Sequence, residues 1–341
     1  MRVLFIIPHT FISGAAIQLR NLLDYLPPDY ECTVFVTNYD GMLENDIRRR
    51  ARLISVTRLD EDKRRQIIRR DLANDYDILH VIESWDGYHV LPYFEGKKIV
   101  TLYGNYKRKD GYFKKRINYL ESLDEKPVMV TDNPRNLGVL PGIRLIRTGI
   151  EQPDPVFTVV RNPRKIIWVG RNSDEKRLHV YLDIAKRFED AEDAVAFVAV
   201  ISGVQLGTPL PSNVEVFYNV RHRIELEYLY KSSSLILNTS KHEGTPQSLI
   251  EGMSCGCIPI APNTGGIPDL VGNTGSILNV SSRGKDHDKV VDLYTKVVTE
   301  HLNITITEEQ RKAVRDRVRN DTVERMVRDW EAIYENNEIR A

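Results

Sequence analysis

Short apolar segments alternate with longer amphipathic segments along this chain, and the alternation begins a second time near residue 165. The first half contains five apolar runs that predict strands, at residues 3–7, 32–37, 78–82, 98–102 and 128–131. Segments between them, such as residues 16–26 and 60–74, have apolar side chains at helical spacing. Runs that are apolar throughout are typical of strands buried on both faces, so the pattern predicts a parallel sheet covered by helices.

The second half repeats this organisation. Strands are predicted at residues 165–170, 194–201, 214–218, 235–238 and 258–261, and helices at 176–190, 223–231, 245–254 and 285–301. Between the halves, residues 149–163 contain three prolines and predict an interdomain linker. A chain of 341 residues has the length of two domains. The charged tail, residues 308–336, predicts one or two further helices.

Residues 242–271 are the most informative stretch for function. They hold two glutamates, Glu243 and Glu251, on either side of a predicted helix start with Thr245 as N-cap and Pro246 at the first helical position. Unpaired backbone N–H groups at a helix start bind anions such as phosphate, and carboxylates accept hydrogen bonds from hydroxyl groups. A sugar joined to a nucleoside through a diphosphate presents both kinds of group.

This stretch resembles the E-x7-E region of the retaining glycosyltransferases of family 4, and Thr264-Gly265-Gly266-Ile267-Pro268-Asp269 matches that family's GGIP-E/D segment. The resemblance implies the GT-B fold, an α/β class with two Rossmann-like, doubly wound domains facing a cleft. We then expect an acceptor-binding domain at 1–150 and a nucleotide-sugar-binding domain at 151–320. The remaining residues, 321–341, would form a helix that crosses back to the N-terminal domain.

A second motif, Gly170-Arg171-Asn172-Ser173-Asp174-Glu175-Lys176, follows the first predicted strand of the second half and resembles the family's V-G-R-x-x-x-E-K element. Fixed cations can stabilise the negative charge that develops on the distal phosphate when the sugar leaves. The resemblance therefore implies Arg171, Lys176 and Glu243 as catalytic residues. The implied donor contacts also include Gly14, Gly170, Gly244, Thr245, Gln247, Ser248 and Glu251.

The N-terminal half matches the family pattern less completely. Its glycine loop has Gly14 followed by Ala15 where a second glycine is usual, and Thr148 replaces the asparagine of a P-N-G-V-D segment. Tyr103 stands where relatives often have a histidine, and we expect it to contact the donor sugar or the acceptor without titrating near neutral pH. His9 and His80, at strand ends, are interpreted as structural histidines, and residues 217–222 lie where the family holds the nucleobase.

Composition excludes several other classes. The formal net charge is zero, which gives no support for nucleic acid as a partner. Cys32, Cys255 and Cys257 lack zinc-ligand spacing and are interpreted as buried, reduced thiols. Three Asp-x-Asp triplets (residues 60–62, 75–77 and 286–288) lack the context of a metal site, so we expect no catalytic metal and no cofactor. No apolar run approaches the roughly 18 residues of a spanning helix, and the start is too short for a signal peptide. We therefore expect a cytoplasmic protein.

Two basic clusters remain open to two interpretations. The first comprises Arg48, Arg49, Arg50, Arg52, Lys63, Arg64, Arg65, Arg69 and Arg70; the second spans residues 103–119 and interleaves cations with aromatic rings. In the first interpretation, they are solvent-exposed faces whose cations pair with Asp and Glu side chains. In the second, they bind the anionic inner face of a membrane or a phosphate-bearing lipid acceptor there.

The sequence as a whole favours transfer of a hexose-type sugar from a nucleotide-diphosphate donor, such as a UDP- or GDP-hexose, to an acceptor hydroxyl on a glycan, a lipid or a small molecule. Two alternatives stay open. One is a nucleotide-sugar epimerase of the same fold, which would need no acceptor. The other is a non-catalytic, decayed transferase that keeps a polyanion-binding patch, supported by the departures at Ala15, Tyr103 and Thr148.

Overall fold

A computed structural model describes residues 1–104, 111–138, 141–207, 209–220, 222–280 and 287–336, without the side chain of Tyr112. The chain divides into two compact units. Unit 1 combines Met1–Gly149 with the chain from Val323 onward, and unit 2 is Ile150–Thr322. Residues 105–110 of the second basic cluster, Arg221 of the segment 217–222 and Asp286 of the third Asp-x-Asp triplet lie outside the described residues.

Within its described part, unit 1 has a parallel sheet of seven strands in the order β3-β2-β1-β4-β5-β6-β7. The strands are β1 Arg2–His9, β2 Glu31–Tyr39, β3 Arg52–Ser55, β4 Ile78–Ile82, β5 Lys97–Leu102, β6 Val128–Thr131 and β7 Arg144–Leu145. Helices cover both faces: α1 Gly14–Tyr25, α2 Glu44–Arg48, α3 Glu61–Asp71, α4 Trp85–Val90 and α5 Gly111–Ser122. Residues 3–7 of the central strand β1 have no exposed surface, as the uninterrupted apolar run predicts.

Unit 2, as far as it is described, has a parallel sheet of six strands in the order β10-β9-β8-β11-β12-β13. These are β8 Lys165–Arg171, β9 Ala196–Ser202, β10 Val214–Tyr218, β11 Leu235–Leu237, β12 Ile258–Pro262 and β13 Ser276–Leu278. Its helices are α6 Leu178–Lys186, α7 Arg223–Ser232, α8 Gln247–Ser254, α9 Ile267–Val271, α10 His287–Leu302 and α11 Glu308–Val318. In each sheet the strand order reverses beside the unit's first strand, which is where open α/β sheets bind their ligands.

The last helix, α12 (Val323–Tyr334), belongs to unit 1 and packs on α1. Trp330, Ile333 and Tyr334, which lie at positions i, i+3 and i+4 of this helix, are buried in the core of unit 1. The Tyr334 hydroxyl lies 2.8 Å from Nδ1 of His80, and Nε2 of that ring lies 2.6 Å from Thr101 Oγ1. Burial lowers the pKa of His80 to about 3, so this ring is a neutral element of the core that helps to seat α12.

The segment interpreted as an interdomain linker is fastened to unit 2. Lys231 Nζ donates to the carbonyl oxygens of Asp154 (2.5 Å) and Phe157 (2.6 Å), and Glu227 Oε1 accepts from the Asp154 amide at 2.8 Å. Lys231 and Glu227 also pair with each other at 2.7 Å. Among the described residues, no helix has the length and apolar composition needed to cross a membrane.

Candidate functional site

The loop after β8 is fixed by the segment that follows β11. Thr239 Oγ1 donates to the carbonyl oxygen of Lys176 at 2.9 Å and accepts from Trp168 Nε1 at 3.0 Å. The Lys241 amide donates to the carbonyl oxygen of Glu175 at 2.8 Å. Because β8 and β11 are neighbours in a parallel sheet, their carboxyl ends bring these two segments together. The loop is thereby held in one conformation before any ligand arrives.

Lys176 and Glu243, predicted from separate motifs, form an ion pair. Lys176 Nζ lies 2.7 Å from Oε1 and 2.8 Å from Oε2 of Glu243, and Oε1 also accepts from Asn238 Nδ2 (3.1 Å) and Ser240 Oγ (2.6 Å). Glu243 is only 8% exposed. Burial acts to raise its pKa, but the charge of Lys176 and these hydrogen bonds outweigh burial and lower the pKa below its ordinary value. The site therefore holds an ionised carboxylate and a fixed ammonium group.

Arg171 does not share this arrangement. Its guanidinium lies 4.0 Å from Oε2 of Glu175, four residues along the chain, and the two side chains are 40% and 50% exposed. An exposed pair at this distance contributes little to stability. The structure thus brings Lys176 to Glu243, as expected for one site, but places Arg171 against Glu175 at the end of β8.

Helix α8 begins at Gln247, one residue after the predicted first helical position, and Thr245 is not its N-cap. Pro246 occupies the N-cap position with φ −72° and ψ 113°, and no side chain caps this end. The extended backbone at Pro246 is the reason, since helical angles can begin only at Gln247. An uncapped helix start with no acidic residue in its first turn suits an anion.

Glu251 lies in the second turn of α8. Its carboxylate accepts from the Tyr230 hydroxyl at 3.0 Å and from Gln247 Nε2 at 3.0 Å. Burial, together with the negative charge of Glu251, raises the pKa of Tyr230 well above its ordinary value, so this phenol remains a hydrogen-bond donor. Neutral donors therefore orient Glu251, whereas a cation holds Glu243.

The two glycines of the GGIP-D segment close the site. The Gly266 amide donates to the carbonyl oxygen of Gly244 at 2.7 Å. Gly265 has φ +54°, and a Cβ atom there would lie 1.9 Å from the carbonyl oxygen of Glu243. Another residue at this position would push the backbone of Glu243 away, so glycine is required by close approach as well as by its backbone angle.

A groove of about 370 Å³ opens at the carboxyl end of β10. Its lining residues are Val216, Phe217, Tyr218, Asn219, Val220, His222 and Glu225. It coincides with the segment that the family resemblance relates to the nucleobase.

Gly170, at the end of β8, packs against Trp168, where a Cβ atom would approach the ring to 2.9 Å.

The predicted sites of unit 1 lie at its own strand ends. Ser13 caps α1 by accepting from the Ala16 amide, and a Cβ atom on Gly14 would meet no atom within 4 Å. The Tyr103 amide donates to Glu83 Oε1 at 2.6 Å, and burial raises the pKa of the Tyr103 phenol far above neutrality. Thr148 donates to Asp132 Oδ2 at 3.2 Å.

The first basic cluster, carried by α2, β3 and α3, is largely paired with acids. Arg64 and Arg65 reach the buried carboxylate of Asp86 at 2.9 and 3.2 Å, and Arg49 lies 3.5 Å from Asp46. Two of the Asp-x-Asp triplets contain residues with structural roles: Asp60 caps α3, and Asp77 accepts from the amide of Arg2. No group of metal-binding side chains occurs in the described part of the chain.

Sequence reasoning missed the residues that support Glu243 and Glu251. Asn238, Thr239 and Ser240 form a polar triplet directly after the buried strand β11, and this position alone identifies them as site residues. Tyr230 offers no such signal, because its contact with Glu251 depends on the packing of α7 against α8.

Solved structures with this fold are numerous, at low sequence identity. A glycosyltransferase from Rickettsia africae is 17% identical, with a TM-score of 0.70 and 98% of each chain covered. HepE from Anabaena in complex with UDP and glucose is 13% identical, with a TM-score of 0.70 over 98% of this chain and 100% of that one. The pneumococcal O-GlcNAc transferase GtfA in complex with UDP and GlcNAc is 14% identical (TM-score 0.63, 79% of this chain, 59% of that one).

At the sequence level, no curated protein matches the chain. The family model described as glycosyl transferases group 1 matches residues 152–320, which contain the Lys176–Glu243 pair, Glu251 and the groove. The chain therefore has the two-domain GT-B fold, and its residues 152–320 are similar to the glycosyl transferases group 1.

Proposed function

We propose that this protein transfers a hexose-type sugar from a nucleotide-diphosphate donor to a hydroxyl group of an acceptor, with retention of configuration at the anomeric carbon. The observation that carries the proposal is the buried Lys176–Glu243 pair. It lies at the carboxyl ends of β8 and β11, within the region that matches the glycosyl transferases. The acceptor is a glycan, a lipid or a small molecule that carries this hydroxyl group.

Lys176 is suited to neutralise the departing diphosphate. An ammonium group has three N–H donors, and the two oxygens of Glu243 take two of them. The third is available for a phosphate oxygen. Because Glu243 fixes the ammonium group in advance, little reorganisation is needed when charge develops on the leaving group. We assign the same electrostatic task to Arg171, whose exposed side chain is weakly held by Glu175.

The carboxylates of Glu243 and Glu251 bind different parts of the donor. Oε2 of Glu243 accepts one bond from Lys176 where Oε1 accepts three, which leaves Oε2 room for a hydroxyl of the donor sugar. Glu251 accepts ribose hydroxyls. The phosphates meet the start of α8 near Gly244, Thr245, Gln247 and Ser248, where no side chain caps the helix.

Retention follows in this proposal from departure and attack on the same face of the sugar. A covalent intermediate needs a nucleophile beside the anomeric carbon. Both oxygens of Glu243 accept hydrogen bonds from the fixed Lys176 ammonium group, which makes this carboxylate a weak nucleophile. Anomer analysis of the product by proton NMR tests this step, since an inverted product would overturn it.

Donor binding can be tested without knowing the acceptor. Because HepE and GtfA were solved with UDP, we expect UDP to raise the melting temperature more than GDP or ADP. Glu251→Gln should weaken UDP binding by about tenfold, the effect of one hydrogen bond to a charged group. Glu300→Gln, an exposed carboxylate on α10, is the matched control and should bind UDP like the parent. Absence of a shift with every nucleotide would refute the donor site.

The alternatives give different products. Incubation with UDP-hexose alone yields an epimerised sugar and UDP if the chain is an epimerase, and no turnover if it is a decayed transferase. A transferase forms a glycoside when an acceptor is added. Formation of the epimer in the absence of acceptor would therefore replace our proposal.

A further inference from the structure

Three aromatic rings form an exposed stack at the carboxyl ends of β1 and β2 in unit 1. The rings of His9 and Phe11 lie 5.2 Å apart at 25°, and those of Phe11 and Tyr39 lie 5.8 Å apart at 23°. Phe11 is 40% exposed and Tyr39 is 61% exposed. Much of this apolar surface stays exposed after folding, and it lies at strand ends, where α/β sheets bind ligands.

The backbone beneath the stack is fixed. The Thr10 amide donates to the Tyr39 carbonyl at 3.3 Å, and the Leu43 amide donates to the Thr10 carbonyl at 3.1 Å. A Cβ atom on Gly41 would lie 2.4 Å from the backbone nitrogen of Phe11, so only glycine allows the two loops to approach this closely. The rings are therefore carried by two interlocked loops whose backbone is fixed before a ligand arrives.

Polar groups border the stack beside Tyr39. Asp40 accepts from the hydroxyls of Ser55 (2.6 Å) and Thr57 (2.9 Å). Burial acts to raise the pKa of Asp40, but these hydrogen bonds lower it, so the carboxylate is ionised at neutral pH. The exposed carboxylate can accept hydrogen bonds from further hydroxyl groups, and its negative charge disfavours an anionic surface.

We infer that the Phe11–Tyr39 stack, with Asp40 at its edge, binds a pyranose ring of the acceptor. The flat C–H face of a sugar carries partial positive charge and matches the negative face of an aromatic ring, while its hydroxyls match Asp40 and its neighbours. This inference rests on the proposed function, which requires a hydroxyl-bearing acceptor, and it narrows the acceptor class to carbohydrate. Asp40 argues against the anionic lipid headgroup that the basic clusters had suggested.

Saturation-transfer NMR tests the site with methyl glycosides of glucose, galactose, mannose and N-acetylglucosamine as probes. We expect at least one of them to receive saturation on its ring C–H protons from the full-length protein. Tyr39→Ala should weaken binding roughly threefold to tenfold, as loss of one stacked ring predicts, and Tyr39→Phe should retain it. Tyr93→Ala is the matched control. Tyr93 is 56% exposed and precedes the amino end of β5, whereas the aromatic stack lies at the carboxyl ends of the strands.

Two results with the sugar probes would overturn the inference: no saturation of any probe, or sugar binding by Tyr39→Ala that equals that of the parent. A third would be that the parent binds phosphatidylglycerol vesicles and no sugar, and that Tyr39→Ala abolishes this vesicle binding. The UDP-induced thermal shift is measured on the same proteins and should persist in Tyr39→Ala, because its site lies in unit 2. If the parent protein binds none of the sugars but keeps the UDP shift, the aromatic site alone is refuted. Sugar binding without any UDP shift defeats the donor site instead.

Discussion

Two ion pairs at opposite ends of one short loop differ in almost every physical respect. Lys176–Glu243 is mostly buried, makes contacts of 2.7 and 2.8 Å and has two further hydrogen-bond donors. Arg171–Glu175 is half exposed and its closest approach is 4.0 Å. In the sequence both cations belong to one motif, and both were expected to bind the same phosphate.

The difference in burial indicates that the two cations contribute differently to the stability of the fold. A buried pair that loses one partner leaves a charge without compensation, whereas an exposed pair loses almost nothing. Lys176 is therefore both a structural and a proposed catalytic group, and variants at its site will mix the two effects. Arg171 can be removed with little structural consequence, so it reports catalysis alone.

The largest effect is expected for Glu243→Ala, which leaves the Lys176 ammonium group without its counterion in a mostly buried site. Unit 2 should lose about 3–5 kcal/mol of stability. Hydrogen exchange followed by mass spectrometry measures this loss in peptides of unit 2, while peptides of unit 1 serve as the internal control. Protection of unit 2 equal to that of the parent would show that the pair contributes nothing.

Arg171→Ala should leave hydrogen exchange unchanged but lower kcat about 100-fold or more, the usual result of removing one group that stabilises developing charge. Arg171→Lys, which keeps the charge but loses the planar fork of donors, should recover part of the rate. Steady-state kinetics with a saturating donor separates the two variants. An unchanged kcat in Arg171→Ala would contradict a role at the leaving group.

Acid should weaken the buried pair. The pKa of Glu243 is lowered in the folded protein, so the folded state binds fewer protons than the unfolded state. Its stabilising contribution is complete above the ordinary value of 4.5 and is lost as pH falls through the lower, folded pKa. Urea unfolding at several pH values should therefore show a steeper loss below pH 4.5 in the parent than in Glu243→Gln. Equal slopes would contradict the lowered pKa.

How far the sequence could foresee this site depends on the range of the interactions. The strands 78–82, 128–131 and 214–218 were predicted to the residue, because each is an apolar run with clear ends. The edge strands β3, β7 and β13 were missed, because short runs at a sheet edge carry little apolar signal.

Within the site, the family resemblance implied that Lys176 and Glu243 serve one donor, and the structure places their side chains 2.7 Å apart. The start of α8 and the separate position of Arg171 were not predictable in this way. The start of α8 depends on the extended backbone at Pro246, and the position of Arg171 depends on its pairing with Glu175 rather than Glu243. Both are determined by packing at the carboxyl ends of the strands.

The smallest effect is expected for Glu175→Ala. Loss of the exposed pair should change stability by no more than about 0.5 kcal/mol, in contrast to Glu243→Ala. Its carbonyl oxygen, which accepts from the Lys241 amide, is unaffected by the substitution, so the loop keeps its main anchor. The guanidinium of Arg171 is then released, and if Arg171 serves the phosphate, kcat should be retained or rise slightly. A loss of activity as large as that of Arg171→Ala would instead show that Glu175 positions Arg171, and the two ion pairs would then differ in burial but not in purpose.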